Sequence, residues 1–369
     1  MKKIAIIGAS YLQLPLVYKA KEMGIETHCF AWEEGAICNE IADFFYPISI
    51  VEKEEILKVC RNIEIDGIVS IASDAAVPTI CYVAEKLGLT TNTYNDSLVA
   101  TNKYLMRQRF SEYNILSPQY VIANENYSVT NFQFPLIVKP TDRSGSRGVK
   151  KILKESDLKE AVDRAKKESF THQAIIEEYI IGSEVSVESI SWQGKHYILA
   201  ITDKVTTEEP YFVELEHHQP SQLSLEIQNK IKTETLKALT ALHVNYGASH
   251  SEFKITANGE VYVIEVGARM GGDFIGSNLV ELSTGYDFVK AVINVSLGVF
   301  EQPVLIAKKY SGVYFLCLET QKILSLIQNW QNIHQIVYAE VTNKELQAVE
   351  CSADRSGYLI YQAAEKFKV

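Results

Sequence analysis

Residues 135–149 read PLIVKPTDRSGSRGV and pass from an apolar strand pattern into a loop of small and basic residues. Lys139 ends the apolar run, where a buried ammonium group needs an anionic partner to offset its desolvation. The loop that follows contains Arg143 and Arg147 and can present backbone N–H groups to phosphate oxygens. It lacks the G-x-x-x-x-G-K-[ST] spacing of a Walker loop. The same pattern is also typical of a lysine whose head reaches solvent before an ordinary turn.

A second segment reads IIEEYIIGSE at residues 175–184. An extended segment can offer backbone N–H and C=O groups to the edge of an adenine ring, and a carboxylate further along can accept hydrogen bonds from ribose hydroxyls. Any half-exposed strand with glutamates has the same composition, so this segment indicates a nucleotide only in company with other signals.

The third signal is a pair of acids, Glu252 and Glu265, on two strand patterns joined by Asn258-Gly259. Asn-Gly between such runs predicts a hairpin, which can bring the two carboxylates side by side. Like charges that close need a cation, and hard oxygen ligands suit Mg²⁺. The alternative is two solvated strand glutamates. The sequence EVGARMGG at residues 265–272 favours a site for charged ligands, because an arginine and paired glycines follow the second acid.

Length and charge limit the function classes. The chain has 369 residues, which predicts two or three domains. Its net charge of −10 disfavours nucleic acid and anionic membranes as partners, although a local basic pocket can still bind a small anion. The opening MKKIAIIGAS is interpreted as a buried strand rather than a signal peptide, and no stretch reaches the length of a membrane span. Six cysteines without C-x-x-C pairing indicate reduced thiols of a cytoplasmic protein.

The first 98 residues alternate strand and helix patterns, which predicts an α/β unit with a parallel sheet. Its strands are expected at residues 3–7, 27–30, 44–48, 67–71 and 90–91, and its helices at residues 12–23, 52–61 and 75–87. The first turn has Ser10 and Gln13 where a dinucleotide fingerprint requires glycine, so an NAD site is not expected. The middle region reads as α+β, and short strand patterns from about residue 306 predict a small β-rich tail.

The three signals occur in the order and spacing of the ATP-grasp superfamily, and the chain resembles the branch of carbamoyl-phosphate synthase large chains, biotin carboxylases and L-amino acid ligases. This resemblance implies a Rossmann-like pre-ATP-grasp domain at residues 1–98, an ATP-grasp domain at residues 99–305 with a mobile lid at about 115–180, and a small β-rich C-terminal domain at residues 306–369. It covers nearly the whole chain.

The resemblance also implies a role for each matching residue. Lys103 and Lys139 correspond to the phosphate-binding lysines, Glu184 to the ribose-binding acid, and Arg269 to the arginine that holds the acyl phosphate; Lys139 and Arg269 are the expected catalytic residues. Glu252 and Glu265 correspond to the magnesium-binding acids. The phosphate lid and the adenine-binding hinge match Ser144, Gly145, Ser146, Gly148 and Val149, and Glu177, Glu178, Tyr179 and Ile180, with the backbone of Glu178 and Ile180 facing the base.

Three features leave alternatives open. The family usually has Asn two residues after the second acid, and this chain has Gly267, so it binds either one metal ion or two. His217 and His218 lie in a segment, residues 201–220, that resembles one near the substrate pocket of amino acid ligases; they either contact substrate or belong to an exposed polar loop. His250, two residues before Glu252, either lines the site or is structural.

The expected function is that of an ATP-dependent carboxylate–amine ligase that acts through an acyl phosphate and releases ADP and phosphate. ATP and Mg²⁺ (or Mn²⁺) are the expected cofactors, and a small-molecule carboxylate and an amine the expected substrates. Nucleic acid and membrane are not expected as partners, and a homodimer is compatible with the sequence. A carboxylase or kinase that shares the ATP module, and a non-catalytic nucleotide-binding module, are the alternatives. The two acids Glu252 and Glu265 argue against the last, because binding without turnover needs fewer acids.

Overall fold

The computed structural model describes residues 1–125, 127–207, 211–306 and 309–369, which form three β-sheets flanked by helices. None of the helices in these ranges is long and apolar enough to cross a membrane. The mixture of helices with a parallel sheet and two antiparallel sheets agrees with the α/β and α+β class expected from the sequence.

The N-terminal unit is a four-stranded parallel sheet with the strand order β3-β2-β1-β4. Its elements are β1 (Lys3–Ile7), α1 (Leu14–Glu22), β2 (Glu26–Phe30), β3 (Phe44–Tyr46), α2 (Lys53–Ile63), β4 (Gly67–Val69), α3 (Val77–Leu87) and α4 (Tyr94–Ala100). The predicted parallel sheet with helical crossovers is confirmed. The strand expected at residues 90–91 is not formed; these residues are an irregular connection into α4.

Gln13 occupies the turn in which a dinucleotide fingerprint would have glycine. Its side-chain carbonyl accepts hydrogen bonds from the backbone N–H of Ser10 (3.1 Å) and from the Ser10 hydroxyl (2.9 Å), and its amide donates to the carbonyl of Ile71 (2.8 Å). The backbone N–H of Ser10, which a phosphate group would need, is therefore already satisfied. Gln13 thus links the first turn to the end of β4.

A second sheet is antiparallel, with the order β5-β8-β6-β7, and α6 packs against it. The elements are α5 (Lys103–Glu112), β5 (Tyr120–Ile122), β6 (Leu136–Pro140), β7 (Lys150–Ile152), α6 (Leu158–Glu168) and β8 (Ala174–Glu178). Apolar residues of β6, β8 and α6, among them Val138, Val162 and Ile176, form a core of their own. This sheet lies within the range expected to be a mobile lid, whose mobility stays a prediction.

The third sheet has eight strands in the order β13-β12-β9-β10-β11-β14-β16-β15. Its elements and the associated helices are β9 (Ser183–Trp192), β10 (Lys195–Thr206), β11 (Glu214–Gln219), α7 (Leu225–Ala241), β12 (Gly247–Ile255), β13 (Val261–Gly267), α8 (Val280–Thr284), α9 (Phe288–Ser296), β14 (Tyr310–Leu316), α10 (Leu324–Gln328), β15 (Ile336–Val341) and β16 (Gly357–Ala363).

The tail is β-rich as expected, but its three strands do not form a sheet of their own. β14 pairs with β11 and so extends the central sheet. β11 and β15 were not predicted from the sequence. β11 reads ELEHHQ and has too few apolar residues for a strand pattern. The domain boundaries at residues 98/99 and 305/306 stay predictions.

Helix α9 joins the N-terminal sheet to the large sheet. Phe288, Val292 and Ile293 share one apolar core with Ile4 and Ile6 of β1 and with residues of β9, β10 and β12. A Cβ atom on Gly67 would lie 2.8 Å from the carbonyl oxygen of Ser296, so β4 and α9 are in close contact. This packing holds the loop after β4 over the end of the large sheet.

The burial of the cysteine side chains can be tested by chemical labelling. Burial raises the pKa of Cys38 and Cys81 to about 11 and that of Cys60 to about 12, and all six cysteines are free thiols. Because the thiolate is the reactive form, iodoacetamide at pH 8 is expected to label the half-buried Cys351 first and the buried thiols only after denaturation. Peptide mass spectrometry measures the labelling at each site. Equal labelling of Cys60 and Cys351 in the native protein would contradict the packing described.

Candidate active site

A cavity of about 230 Å³ opens between the second sheet and the large sheet. Nearly all site residues expected from the sequence line it, although they come from α5, β6, β8, β9, β12, β13 and the loops between them. The expected residues on its wall are Lys103, Lys139, Ser144, Gly145, Ser146, Val149, Glu177, Glu178, Tyr179, Ile180, Glu184, Glu252, Glu265 and Arg269. Gly148 lies beside the cavity rather than on its wall; its positive φ of 71° helps to turn the loop.

The two expected phosphate lysines are both buried and both paired with glutamates. Lys103 begins α5 behind its N-cap Asn102, and its Nζ lies 2.8 Å from Oε1 of Glu265. Lys139 Nζ lies 2.7 Å from Oε2 of Glu177, and its side chain is 8% exposed. The alternative in which the head of Lys139 reaches solvent is therefore wrong.

Glu177 lies on the cavity wall, and its side chain pairs with two cations. Its side chain is buried in the cavity wall, where Arg107 and Lys139 both approach it. Burial alone would raise the pKa of this carboxyl, but the two cations outweigh it and lower the pKa. The backbone N–H of the next residue, Glu178, donates to the carbonyl of Gln119 (2.9 Å), so it is not free for a base.

Sequence analysis missed Arg107, which is completely buried. Its Nη2 donates to the carbonyl of Ile264 (2.6 Å) and thereby connects α5 to β13. The residue lies in a charged helix, KYLMRQRFSE, where an arginine ordinarily faces solvent, and no local pattern distinguishes it from Arg109.

Lys204 was also missed, and it holds three glutamates together. Its Nζ lies 2.7 Å from Glu184, 2.8 Å from Glu252 and 3.4 Å from Glu214. Burial lowers the pKa of Lys204, but the three carboxylates outweigh burial and raise it well above the usual value. The signal that singled out Lys139, a lysine in an apolar strand, is also present in LAITDKV at residues 199–205 and could have found Lys204. Glu184, the expected ribose acid, is in addition 3.0 Å from Lys254.

Glu252 and Glu265 lie directly opposite each other on β12 and β13, as the predicted hairpin requires. Lys204 and His250 approach Oε1 of Glu252, and Lys103 approaches Oε1 of Glu265. Among the described residues no group of three or more His, Cys, Asp and Glu side chains could hold a metal ion by itself. Two facing carboxylates nevertheless fit Mg²⁺, which usually binds one or two carboxylates and completes its shell with water and phosphate.

His250 lines the cavity, and the imidazole lies between two acids. Its Nδ1 is bonded to Glu188, and its Nε2 lies 3.3 Å from Glu252. Burial lowers the pKa of His250, but these carboxylates outweigh burial and raise it to about 9, so the ring is charged at neutral pH. Glu188, completely buried on β9, was not identified from the sequence.

His217 and His218 are buried on β11, so the alternative that they belong to an exposed polar loop is wrong. His218 is bonded to Glu216 (2.8 Å) and to the hydroxyl of Tyr361 (2.9 Å). Burial holds the pKa of His217 well below its usual value. Part of the segment that contains them, residues 208–210, lies outside the described residues.

Arg269 is held by an acid from the N-terminal unit. Its Nε and Nη2 lie 2.9 and 2.7 Å from the two carboxylate oxygens of Asp74, which follows β4. The same pair explains Gly267, the position at which the resemblance leads one to expect Asn. A Cβ atom there would lie 2.7 Å from Oδ1 of Asp74 and 3.2 Å from Cζ of Arg269. A side chain at residue 267 would have to displace the Asp74–Arg269 ion pair, which occupies that space.

Comparison with known proteins agrees with this geometry. A family model described as an ATP-grasp domain matches residues 132–277. Residues 132–277 are an ATP-grasp domain. The match includes Lys139, Glu252, Glu265 and Arg269, whereas Lys103 reaches the same cavity from outside it. Asp74, also outside the match, pairs with Arg269.

Proteins similar in sequence to this chain include named ligases. The alanine–anticapsin ligase of Bacillus subtilis is 27% identical over 296 residues, which are 70% of this chain and 62% of that protein. A D-alanine–D-alanine ligase of Flavobacterium johnsoniae is 32% identical over 143 residues, 37% of this chain and 43% of that protein. The chain thus spans less than two thirds of the length of either relative.

The fold as a whole matches a solved structure. The crystal structure of an L-amino acid ligase from Bacillus licheniformis has a TM-score of 0.79 and 22% identity, and the alignment covers 99% of this chain and 94% of that one. This likeness shows the ATP-grasp fold over nearly the whole chain, including the N-terminal sheet and the tail strands.

The contact at Gly267 can be tested by substitution. Because Arg269 holds both oxygens of Asp74, the carboxylate cannot swing away from a new methyl group, and Gly267→Ala is expected to lower the free energy of unfolding by about 1–3 kcal/mol. Chemical denaturation measures the change. Gly272→Ala is the matched control, since a Cβ there meets only the Cβ of Ala72 at 3.4 Å. Equal stability of the two variants would show that residue 267 has room for a side chain.

Proposed function

We propose that this protein is an ATP-dependent carboxylate–amine ligase that forms an acyl phosphate and releases ADP and phosphate. The observation that carries the proposal is the composition of one cavity wall. Two facing carboxylates, Glu252 and Glu265, lie beside two buried lysines, Lys103 and Lys139, and the partly buried Arg269. Such a site can hold two anions, a polyphosphate and a carboxylate, against their mutual repulsion.

The polyphosphate of ATP would lie along Lys103, Lys139 and the loop at residues 144–149. Burial lowers the pKa of Lys139, and Arg107 and Lys103 lower it further despite the opposing effect of Glu177. A bound polyphosphate would supply the negative charge that this group of cations lacks. The adenosine would occupy the adjoining part of the cavity, lined by Tyr179, Ile180 and other residues, with Glu184 near the ribose.

Glu252 and Glu265 would hold Mg²⁺ (or Mn²⁺), which when bound offsets charge on the transferring phosphoryl group. The residues around them keep this acidic pair stable without metal, since Lys204, His250 and Lys103 already balance the two carboxylates. Gly267 contributes no ligand, and Asp74 occupies the space beside it. We therefore propose that the protein binds one metal ion and that Glu252 and Glu265 are its only protein ligands.

Arg269 would hold the substrate carboxylate and the phosphoryl group that it accepts. A carboxylate oxygen attacks the γ-phosphorus, the bond from phosphorus to the β-phosphate oxygen breaks, and ADP leaves. The amine nitrogen then attacks the acyl carbon and loses a proton to solvent, and phosphate departs with the former carboxylate oxygen. Asp74 keeps the guanidinium at the cavity wall before substrate arrives. No covalent side-chain nucleophile is required.

The ligase relatives support carbon–nitrogen bond formation over carboxylation or phosphorylation of another group. Their names also make amino acids the first substrates to try. We further propose that the substrates are small molecules and that the protein works in the cytoplasm, where its free thiols stay reduced.

The metal assignment predicts a separation of binding from turnover. Glu252→Gln and Glu265→Gln are each expected to reduce kcat about a hundredfold or more, with nucleotide affinity changed by less than about fivefold, because the charge that the metal offsets develops during phosphoryl transfer. Steady-state kinetics and calorimetry with ADP measure the two effects. Glu260→Gln, at the exposed turn of the same hairpin, is the control. Wild-type rates in both site variants, or full activity in chelator, would refute the assignment.

The reaction itself is tested with labelled substrate. Carboxylate and amine pairs, beginning with amino acids, are screened by ADP release, and an active carboxylate is then prepared with ¹⁸O in its carboxyl group. The proposal expects labelled inorganic phosphate, seen by mass spectrometry or by the ³¹P isotope shift. AMP and pyrophosphate as products would overturn it. Unlabelled phosphate alongside a confirmed amide would exclude the acyl phosphate.

A further inference from the structure

Glu188 is a completely buried acid near the middle of β9 that no part of the proposed chemistry uses. It lies opposite His250 in the pairing of β9 with β12. A carboxylate in such a place is costly unless its oxygens are satisfied by charged or N–H partners. Its two oxygens have separate partners, and each partner leads to a different side of the active site.

One oxygen, Oε1, is bonded to Nδ1 of His250, and the other side of that imidazole faces Oε1 of Glu252 at 3.3 Å. Two carboxylates accept hydrogen bonds and donate none, so the ring must donate from both nitrogens. Glu188 therefore fixes the plane of the His250 ring, and His250 in turn holds one oxygen of Glu252. The second oxygen of Glu252 is left for a metal ion.

The other oxygen, Oε2, accepts the backbone N–H of Gly271 at 3.0 Å. Gly271 follows Arg269 by two residues, so the same carboxylate fixes the loop that carries the guanidinium. The fit is tight: a Cβ atom on Gly271 would lie 2.5 Å from Oε1 of Glu188 and 2.7 Å from Nδ1 of His250. The first glycine of the Gly271-Gly272 pair is needed here for close approach rather than for a turn.

We propose that Glu188 is a positioning residue that couples the two sides of the catalytic site, through His250 to the metal-binding Glu252 and through Gly271 to the loop of Arg269. This proposal rests on the proposed function of the cavity. It requires that loss of the Glu188 charge impair metal binding, although Glu188 touches neither metal nor substrate.

A matched control exists on the same sheet. Glu216 and His218 form a similar acid–imidazole pair on β11, with 2.8 Å between the oxygen and Nε2, but the other nitrogen of His218 meets the hydroxyl of Tyr361 instead of a site residue. Glu216→Gln therefore removes the same type of contact without a connection to Glu252.

The test measures Mn²⁺ binding to the protein–ADP complex by electron paramagnetic resonance, and ADP affinity by calorimetry in chelator. Glu188→Gln is expected to weaken Mn²⁺ binding about 10–100-fold, as loss of such outer partners does elsewhere. ADP affinity in chelator is expected to stay within about threefold, and Glu216→Gln to match the wild type in both measurements. Wild-type Mn²⁺ affinity in Glu188→Gln, or an equal loss in Glu216→Gln, would overturn the proposal.

A second variant separates positioning from mere stability. His250→Gln keeps the bond of Glu188 to Gly271 but removes the connection to Glu252, and it answers the question even if Glu188→Gln does not fold. If Glu188 acts through His250, the double variant loses no more Mn²⁺ affinity than the stronger single variant; additive losses would contradict this. Neither measurement needs amide formation, so a wild type that binds Mn²⁺–ADP but makes no amide would refute the proposed function alone.

Discussion

The structure depends on the burial of cations in one cavity wall. Lys103, Lys139, Lys204 and Arg269 all lie where water cannot solvate them fully, and each is kept charged by at least one acid within 2.9 Å. Lys139 is the least well compensated, because Arg107 shares its partner Glu177. When a polyphosphate binds to such a wall, its negative charges replace the internal glutamates as partners of the cations. Internal ion pairs thus hold the cations of the wall in fixed positions, and fixed charges of this kind are the condition for electrostatic catalysis.

Residues of three separate sheets contribute these charges. The backbone at Gly267 and Gly271 approaches the charged side chains closely. Arg269 depends on Asp74, which the N-terminal sheet positions through the packing of β4 against α9. Gly267 and Gly271 have no side chains because Asp74, Arg269, Glu188 and His250 fill the space around them. The family usually has Asn at residue 267, and this chain has glycine there because of the Asp74–Arg269 ion pair. The acid of that pair, Asp74, comes from a different part of the chain. The N-terminal sheet, whose own first turn is filled by Gln13, contributes Asp74 to the surroundings of Arg269.

Much of the fold could be predicted because its signals are local. The hairpin of Glu252 and Glu265 follows from Asn258-Gly259 between two apolar runs, and the observed register places the two acids opposite each other. β11 could not be predicted in the same way, since ELEHHQ becomes a strand only through its pairing with β10 and β14. β15 was missed for the related reason that most of its residues are exposed at the sheet edge. Because β11, which connects β10 to β14, was not predicted, the β-rich tail was expected as a separate appendage. Its strands instead continue the central sheet.

The sequence by itself determined the kinds of groups in the site and which segments carry them: a lysine on an apolar strand before a Gly/Ser loop, an extended acidic segment, and two acids across a hairpin. Only the tertiary structure decided how those groups are paired. Asp74 and Arg269 are 195 residues apart, and Arg107 and Glu177 are 70 residues apart. The energy of an ion pair depends on the distance between two charges and on the dielectric around them, and neither quantity can be read from residue order. The pairings of Asp74, Arg107 and Glu188 therefore became apparent only when the three sheets were packed together.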